Sequence, residues 1–169
     1  MSGDAGIEPL LQRLETLERE LADLKAREEI RELFNRYGFS ADCGDAEGYA
    51  QVWAADAVYE GATHRMEGRA AFHAGIADPN GIHKREIEGQ GSLHTTGSLT
   101  IRVDGDTAWA EGATLVWVGQ DAGGYRIYTL SYNHWDLERS DGRWQIVKRV
   151  SRPVSPGNAP KVFTAWQTA

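Results

Sequence analysis

The sequence predicts an α+β domain: a cone-shaped, curved, mixed but mainly antiparallel sheet with three helices packed on its concave face, preceded by an N-terminal helical extension. Two observations predict it. In the first half, Ile30, Leu33, Phe34, Tyr37 and Ala41 recur at helical spacing and leave one apolar face. In the second half, long stretches rich in β-branched and aromatic residues are parted by Asp104-Gly105-Asp106, Asp121-Ala122-Gly123-Gly124 and Ser140-Asp141-Gly142, which are hairpin junctions. Helices followed by an antiparallel meander close one face of a curved sheet, and such a cone leaves a pocket.

The elements follow in order. Residues 1–6 read as a frayed tail. Ile7, Leu10, Leu14, Leu17, Leu21 and Leu24 alternate in steps of three and four, a heptad seam. With Ile7 at position a, the g and e positions pair Arg13 with Glu18 and Glu20 with Lys25, opposite signs as parallel neighbouring chains require. Two readings stand for residues 1–25: an oligomerising coiled coil, or one amphipathic helix folded back on its own domain. Glu28 breaks the seam, and the domain, residues 26–152, takes over. Asp42 closes the 30–41 helix before the turn Cys43-Gly44-Asp45. A second helix is expected from Ala46 to Ala54, burying Tyr49, Val52 and Trp53, then a first strand over Ala57 to Tyr59. Gly68 to Ile76 reads as a third helix with Phe72 and Ile76 inward, and 77–92 as a mobile loop beside the pocket. Four strands are expected at His94–Val103, Thr107–Gly119, Tyr125–Arg139 and Arg143–Ser151. Pro153, Pro156 and Pro160 end the sheet, and Val162, Phe163 and Trp166 make an apolar tail within 153–169, a lid or a subunit contact.

Composition sets the bounds. The 169 residues are enough for one domain with a real core, and 41% hydrophobic with 25% charged residues is ordinary for a soluble globular protein. A formal net charge of −7 argues against nucleic acid or an anionic membrane as partner. A single cysteine, Cys43, excludes an internal disulfide; with no signal-peptide layout, a cytoplasmic home is the default expectation. No apolar run approaches membrane-spanning length. His64, His73 and His83 show no ligand spacing, and no HxH or HExxH element exists, so no metal is expected. The absence of GxGxxG and GxxxxGK[ST] leads to the expectation of no nucleotide cofactor, and no serine sits in a GxSxG elbow.

Four stretches carry a resemblance: the helix ending RYGFSAD, the segment GDAEGYAQVWAADAVYEG, the strand LHTTGSLTIRVDGDTAWAEG and the hairpin WDLERSDGRWQIVKR. In order and spacing, over residues 26–152, they resemble the SnoaL-like branch of the nuclear transport factor two-like superfamily. That branch includes scytalone dehydratase, bile-acid dehydratase and hexachlorocyclohexane dehydrochlorinase. The scaffold hosts many chemistries, and some members are not enzymes.

The resemblance implies the site. In those enzymes a carboxylate at the end of the first long helix orients a histidine at the start of a central strand, and Asp42 and His94 occupy these positions. A carboxylate fixes the tautomer of an imidazole and makes it a better base. Read without the resemblance, Asp42 could simply cap its turn and His94 could be a satisfied core histidine. Tyr37, five residues before Asp42, matches a tyrosine that assists the leaving group in the dehydratases; alternatively it is an ordinary amphipathic residue with its hydroxyl at the rim. Trp117 stands where other members put a second polar catalytic group, which disfavours a two-histidine mechanism and suggests a flat wall for a ring. By the family pattern Asn133 faces inward as a substrate hydrogen-bonder, while His134 lies outside or at a subunit contact. Arg149 matches an arginine that some relatives use to hold developing negative charge; a salt-bridged structural role is the alternative. The expected cavity is lined by Tyr49, Trp53, Phe72, Trp117 and Asn133, and suits an uncharged, ring-containing substrate.

These expectations converge on a cofactor-free lyase acting on a small hydrophobic aromatic or polycyclic compound, as in aromatic compound catabolism. It would work by dehydratase-like elimination or retro-aldol loss of a small group such as formaldehyde. The alternatives are an isomerase, polyketide cyclase or epoxide hydrolase in the same pocket, or a non-catalytic binding module. A homo-oligomer is expected, a trimer by the resemblance.

Overall fold

The structure, a computed structural model, describes residues 7–163. Its first element is one uninterrupted helix, α1 (Ile7–Asp42), so the leucine seam and the domain helix are continuous. No glycine or proline lies between Leu10 and Tyr37, and Pro9 sits in the first turn, where its missing N–H costs nothing. Within α1 burial begins at Ala26 and continues through Ile30, Leu33, Phe34, Tyr37 and Ala41, one face at helical period.

The second helix, α2 (Ala46–Gln51), starts where the Asp45 carboxylate accepts the Gly48 N–H at 2.9 Å. It stops at Gln51, short of the expected Ala54. Trp53 instead opens β1 (Trp53–Glu60), which is longer than expected and runs parallel to the last strand. Tertiary packing decides the difference: the buried Trp53 ring stacks on Phe72 at 3.9 Å, nearly coplanar. A three-residue strand that the sequence did not signal, β2 (Arg65–Glu67), pairs with β1. The third helix, α3 (Arg69–Ala77), buries Phe72 and Ile76.

The expected strand at His94–Val103 is two strands, β3 (Ser92–Thr96) and β4 (Thr100–Asp104), both antiparallel to β5 (Thr107–Gly119). The kink between them leans on Gly112 of β5. A Cβ there would meet Leu99 Cδ2 at 2.8 Å and the Ser98 carbonyl oxygen at 2.9 Å, so the kinked chain lies where a side chain would be. The hairpins to β6 (Tyr125–Ser140) and β7 (Arg143–Pro153) fall where the sequence put them; Asp141 and Gly142, both at positive φ, make the second tight turn.

Strand order is β2-β1-β7-β6-β5-β3, with β4 also on β5: a mixed, mainly antiparallel sheet. Helices pack on its inner face, where Phe34 of α1 meets Trp135 of β6 at 4.7 Å between ring centroids. The last helix, α4 (Ala159–Val162), buries Val162, and Phe163 packs on Tyr132 at 5.1 Å. Trp166 and the 1–6 tail lie outside the described residues. Among the described residues no helix is long and apolar enough to cross a membrane.

Candidate active site

The inner end of α1 and the start of β3 bring Asp42 and His94 together. The helix approaches the strand closely at Gly38, where a Cβ would lie 3.2 Å from the His94 carbonyl oxygen and 3.4 Å from its Cβ. The Asp42 carboxylate accepts three hydrogen bonds: Oδ1 from His94 Nδ1 at 2.6 Å and from the Ser92 hydroxyl at 2.7 Å, Oδ2 from the His94 backbone N–H at 2.8 Å. Burial alone would push this carboxyl up. The His94 ring, the His94 N–H and the Ser92 hydroxyl outweigh it, and the carboxyl lies below its ordinary value. Asp42 therefore stays ionised at neutral pH. Bonding through Nδ1 leaves Nε2 as the imidazole's free nitrogen.

Beside the dyad lies a buried cation. Arg149 of β7 is 8% exposed, and among the described residues no carboxylate pairs with it. Its neighbours are neutral oxygens and rings. Nε and Nη2 donate to Asn133 Oδ1 at 2.9 and 2.7 Å, Nη1 donates to the Tyr37 hydroxyl at 2.6 Å, and Nη2 reaches Thr114 Oγ1 at 3.5 Å. The guanidinium also sits over the rings of Tyr59, Tyr37 and Trp135 at 5.1, 5.6 and 5.6 Å. Asn133 is oriented by donating to Thr114 Oγ1 and the Ser131 carbonyl. Tyr37 accepts from Arg149 and, at 3.3 Å, from the Tyr49 hydroxyl, so its own O–H remains available to donate. Burial, with Tyr37 beside it, pushes the Tyr49 hydroxyl well above its ordinary value, and it stays protonated.

His94 and Arg149 face one cavity of about 130 Å³, lined also by Tyr37, Tyr59, Thr95, Thr96, Thr114, Val116 and Thr129. A larger depression of about 600 Å³, around Arg69, Arg143 and Gln145, contains neither dyad residue. Of the expected site residues, Asp42, His94, Tyr37, Asn133 and Arg149 come together. Tyr49 supports Tyr37 from behind. The other expectations fail on packing. Trp53 and Phe72 stack on each other with no exposed surface and fill the cone rather than line it. Trp117 lies opposite Leu93 in the ladder, next to the Val116–His94 pair, and is absent from the lining. The wall is thus four threonines and two tyrosines with one valine, far more polar than an aromatic box.

Several contributors escaped the sequence. Ser92 lies two residues before His94 and so on the same face of β3, a signal that strand alternation could have supplied. Thr114 and Tyr59 required the register of β5 and β1. His83 sits in a single π-helical turn (His83–Ile87) within the expected loop, and its Nε2 donates to the Ala41 carbonyl at 2.9 Å. Its ring centroid is 6.3 Å from that of His94, and burial holds it below its ordinary value, hence neutral. The same turn is tied to β6 by the Tyr128 hydroxyl, which donates to Glu86 at 2.8 Å. His134, on the opposite face of β6 from Asn133, lies between Glu111 at 2.9 Å and Asp136 at 3.1 Å. Among the described residues no group of three or more His, Cys, Asp or Glu could hold a metal ion.

Comparison with known proteins agrees with this fold. The model of the SnoaL-like domain matches residues 22–150. Among solved structures, an NTF2-like protein with a cystatin-like fold from Novosphingobium aromaticivorans is 34% identical, over 89% of this chain and 94% of that one, with a TM-score of 0.76. A protein of unknown function from Mycobacterium tuberculosis is 27% identical, over 83% and 84% of the two chains, with a TM-score of 0.71. A protein from Catenulispora acidiphila, solved in complex with S-DNPA, shares the fold at 22% identity, over 77% and 94%, with a TM-score of 0.65. No curated protein matches the chain.

Proposed function

The chain belongs to the SnoaL-like domain family, and from that premise we propose that it is a cofactor-free lyase whose general base is His94, held by Asp42. One observation carries the reading: a carboxylate-oriented imidazole with a free Nε2 and a buried arginine that no carboxylate among the described residues pairs with line the same cavity. A base beside a fixed positive charge suits removal of a proton next to a carbonyl.

In the proposed reaction Nε2 takes the proton from the carbon next to the substrate carbonyl. The electron pair moves onto the carbonyl oxygen, where Arg149 and the Tyr37 O–H hold the negative charge. Collapse of that enolate forms the carbon–carbon double bond and expels the β-hydroxyl, which leaves as water on taking a proton from the His94 imidazolium. The free enzyme is restored without a cofactor. A 130 Å³ cavity has room for the reacting carbons, so the ring of the substrate extends beyond it.

The test is deuterium exchange. Aromatic β-hydroxy carbonyl compounds that bind the protein are incubated in D2O, and their α-hydrogens and products are followed by NMR. Exchange or water loss with the native protein, and neither with His94→Ala, is the expected result. Compounds that bind but show no exchange and no turnover would sink the lyase and leave a binding module.

A further inference from the structure

We infer that the N-terminal half of α1 is an assembly element, which forms a parallel, in-register coiled coil with a second copy of this chain. Ile7, Leu10, Leu14, Leu17, Leu21 and Leu24 lie on a rigid helix, and each is between 45% and 70% exposed. No described residue before Ala26 is buried, so the fold-back reading fails for the chain by itself. It would also require a break between Leu24 and Ala26, where the helix is continuous and carries no glycine or proline.

Charge selects the partner and its direction. Arg13 and Glu20 at g, and Glu18 and Lys25 at e, make no ion pair within the chain among the described residues. In a parallel pair of identical chains each g residue meets the e residue five positions on, giving Arg13 with Glu18 and Glu20 with Lys25, both attractive. In the antiparallel register that overlaps the whole seam, Ile7 lies beside Leu24 and g meets g and e meets e, so Arg13 meets Glu20 but Glu18 faces the uncharged Leu11; only the parallel arrangement pairs all four of these charges with one another. The seam is under three heptads, short for an isolated coiled coil. Here the costly first turns are already supplied, because the folded domain anchors the same helix from Ala26 onward.

The test uses the full chain. Light scattering of the native protein at micromolar concentration should give an integer multiple of 18.7 kDa, and the multiple gives the number of strands. Leu14→Glu combined with Leu21→Glu should lower that mass while the sheet's circular dichroism is unchanged. In a Cys43→Ser background, Ile7→Cys should cross-link to itself on oxidation by diamide, since parallel strands place the two Ile7 positions side by side. Three results would overturn the inference: a native monomer, a double variant with native mass, or cross-linking of Ile7→Cys only to a Leu24→Cys chain.

Discussion

At the scale of single residues the site couples a base to a buried arginine, and the two should fail differently. His94→Ala and Asp42→Asn should each cut turnover by at least about 100-fold, and the double variant should be little worse than either, because both serve one proton transfer. Steady-state kinetics on the true substrate checks this. Arg149→Met should lower kcat by about 100- to 1,000-fold, the usual loss of one oxyanion donor. Its thermal midpoint should nevertheless stay close to the native value or rise, since a buried cation whose partners among the described residues are neutral gives up its desolvation cost on removal. Across the sheet, His134 offers a stability readout. Hydrogen bonding to Asp136 and Glu111 outweighs burial and raises the imidazole above its ordinary value. Its stabilisation is therefore complete below about pH 6.5, the unfolded value, and is lost as pH rises through the folded one. Melting curves taken upward from about pH 6.5 should fall more for the native protein than for His134→Gln. His83, lowered by burial, acts in the opposite sense on acidification, so the difference between the two proteins is the quantity to read.

At the scale of elements the closest joint is between α1 and β3 at Gly38. Alanine there favours the helix by about 1 kcal/mol, yet its Cβ must push His94 by a few tenths of an ångström. Gly38→Ala should thus leave stability nearly unchanged and reduce kcat, a split visible when melting and turnover are measured on one preparation. Much of the element map was legible: the apolar face of α1 in its periodicity, and the hairpins in their Asp-Gly and Gly-Gly turn residues. What was not legible depends on partners distant in sequence. Trp53 reads as helical until Phe72 and the last strand claim it, and the kink between β3 and β4 exists because Gly112 leaves room for it. The site followed the same division. Asp42, His94, Tyr37, Asn133 and Arg149 were named through the family resemblance, which matches them to a helix end and to strand positions. The fate of Trp53, Phe72 and Trp117 turned on whether aromatic rings line a cone or fill it, which spacing does not encode.

At the scale of the molecule, ligand and fold are linked. A compound present at about 100 times its Kd should add about 2.7 kcal/mol, raising the midpoint by roughly 5–10 °C for a chain of this size. Thermal shift of the native protein measures it, and the same compound should lose most of its effect with Arg149→Met. The shape has its own consequence. At about 1.5 Å per residue, α1 is a rod of roughly 54 Å, and close to half of it stands clear of the sheet. A ball carrying such a mast tumbles anisotropically. Amides along the exposed turns and amides in β5 should relax at different rates in NMR, and a fluorophore at the helix tip would report the motion of the mast instead of that of the cavity some tens of ångströms away.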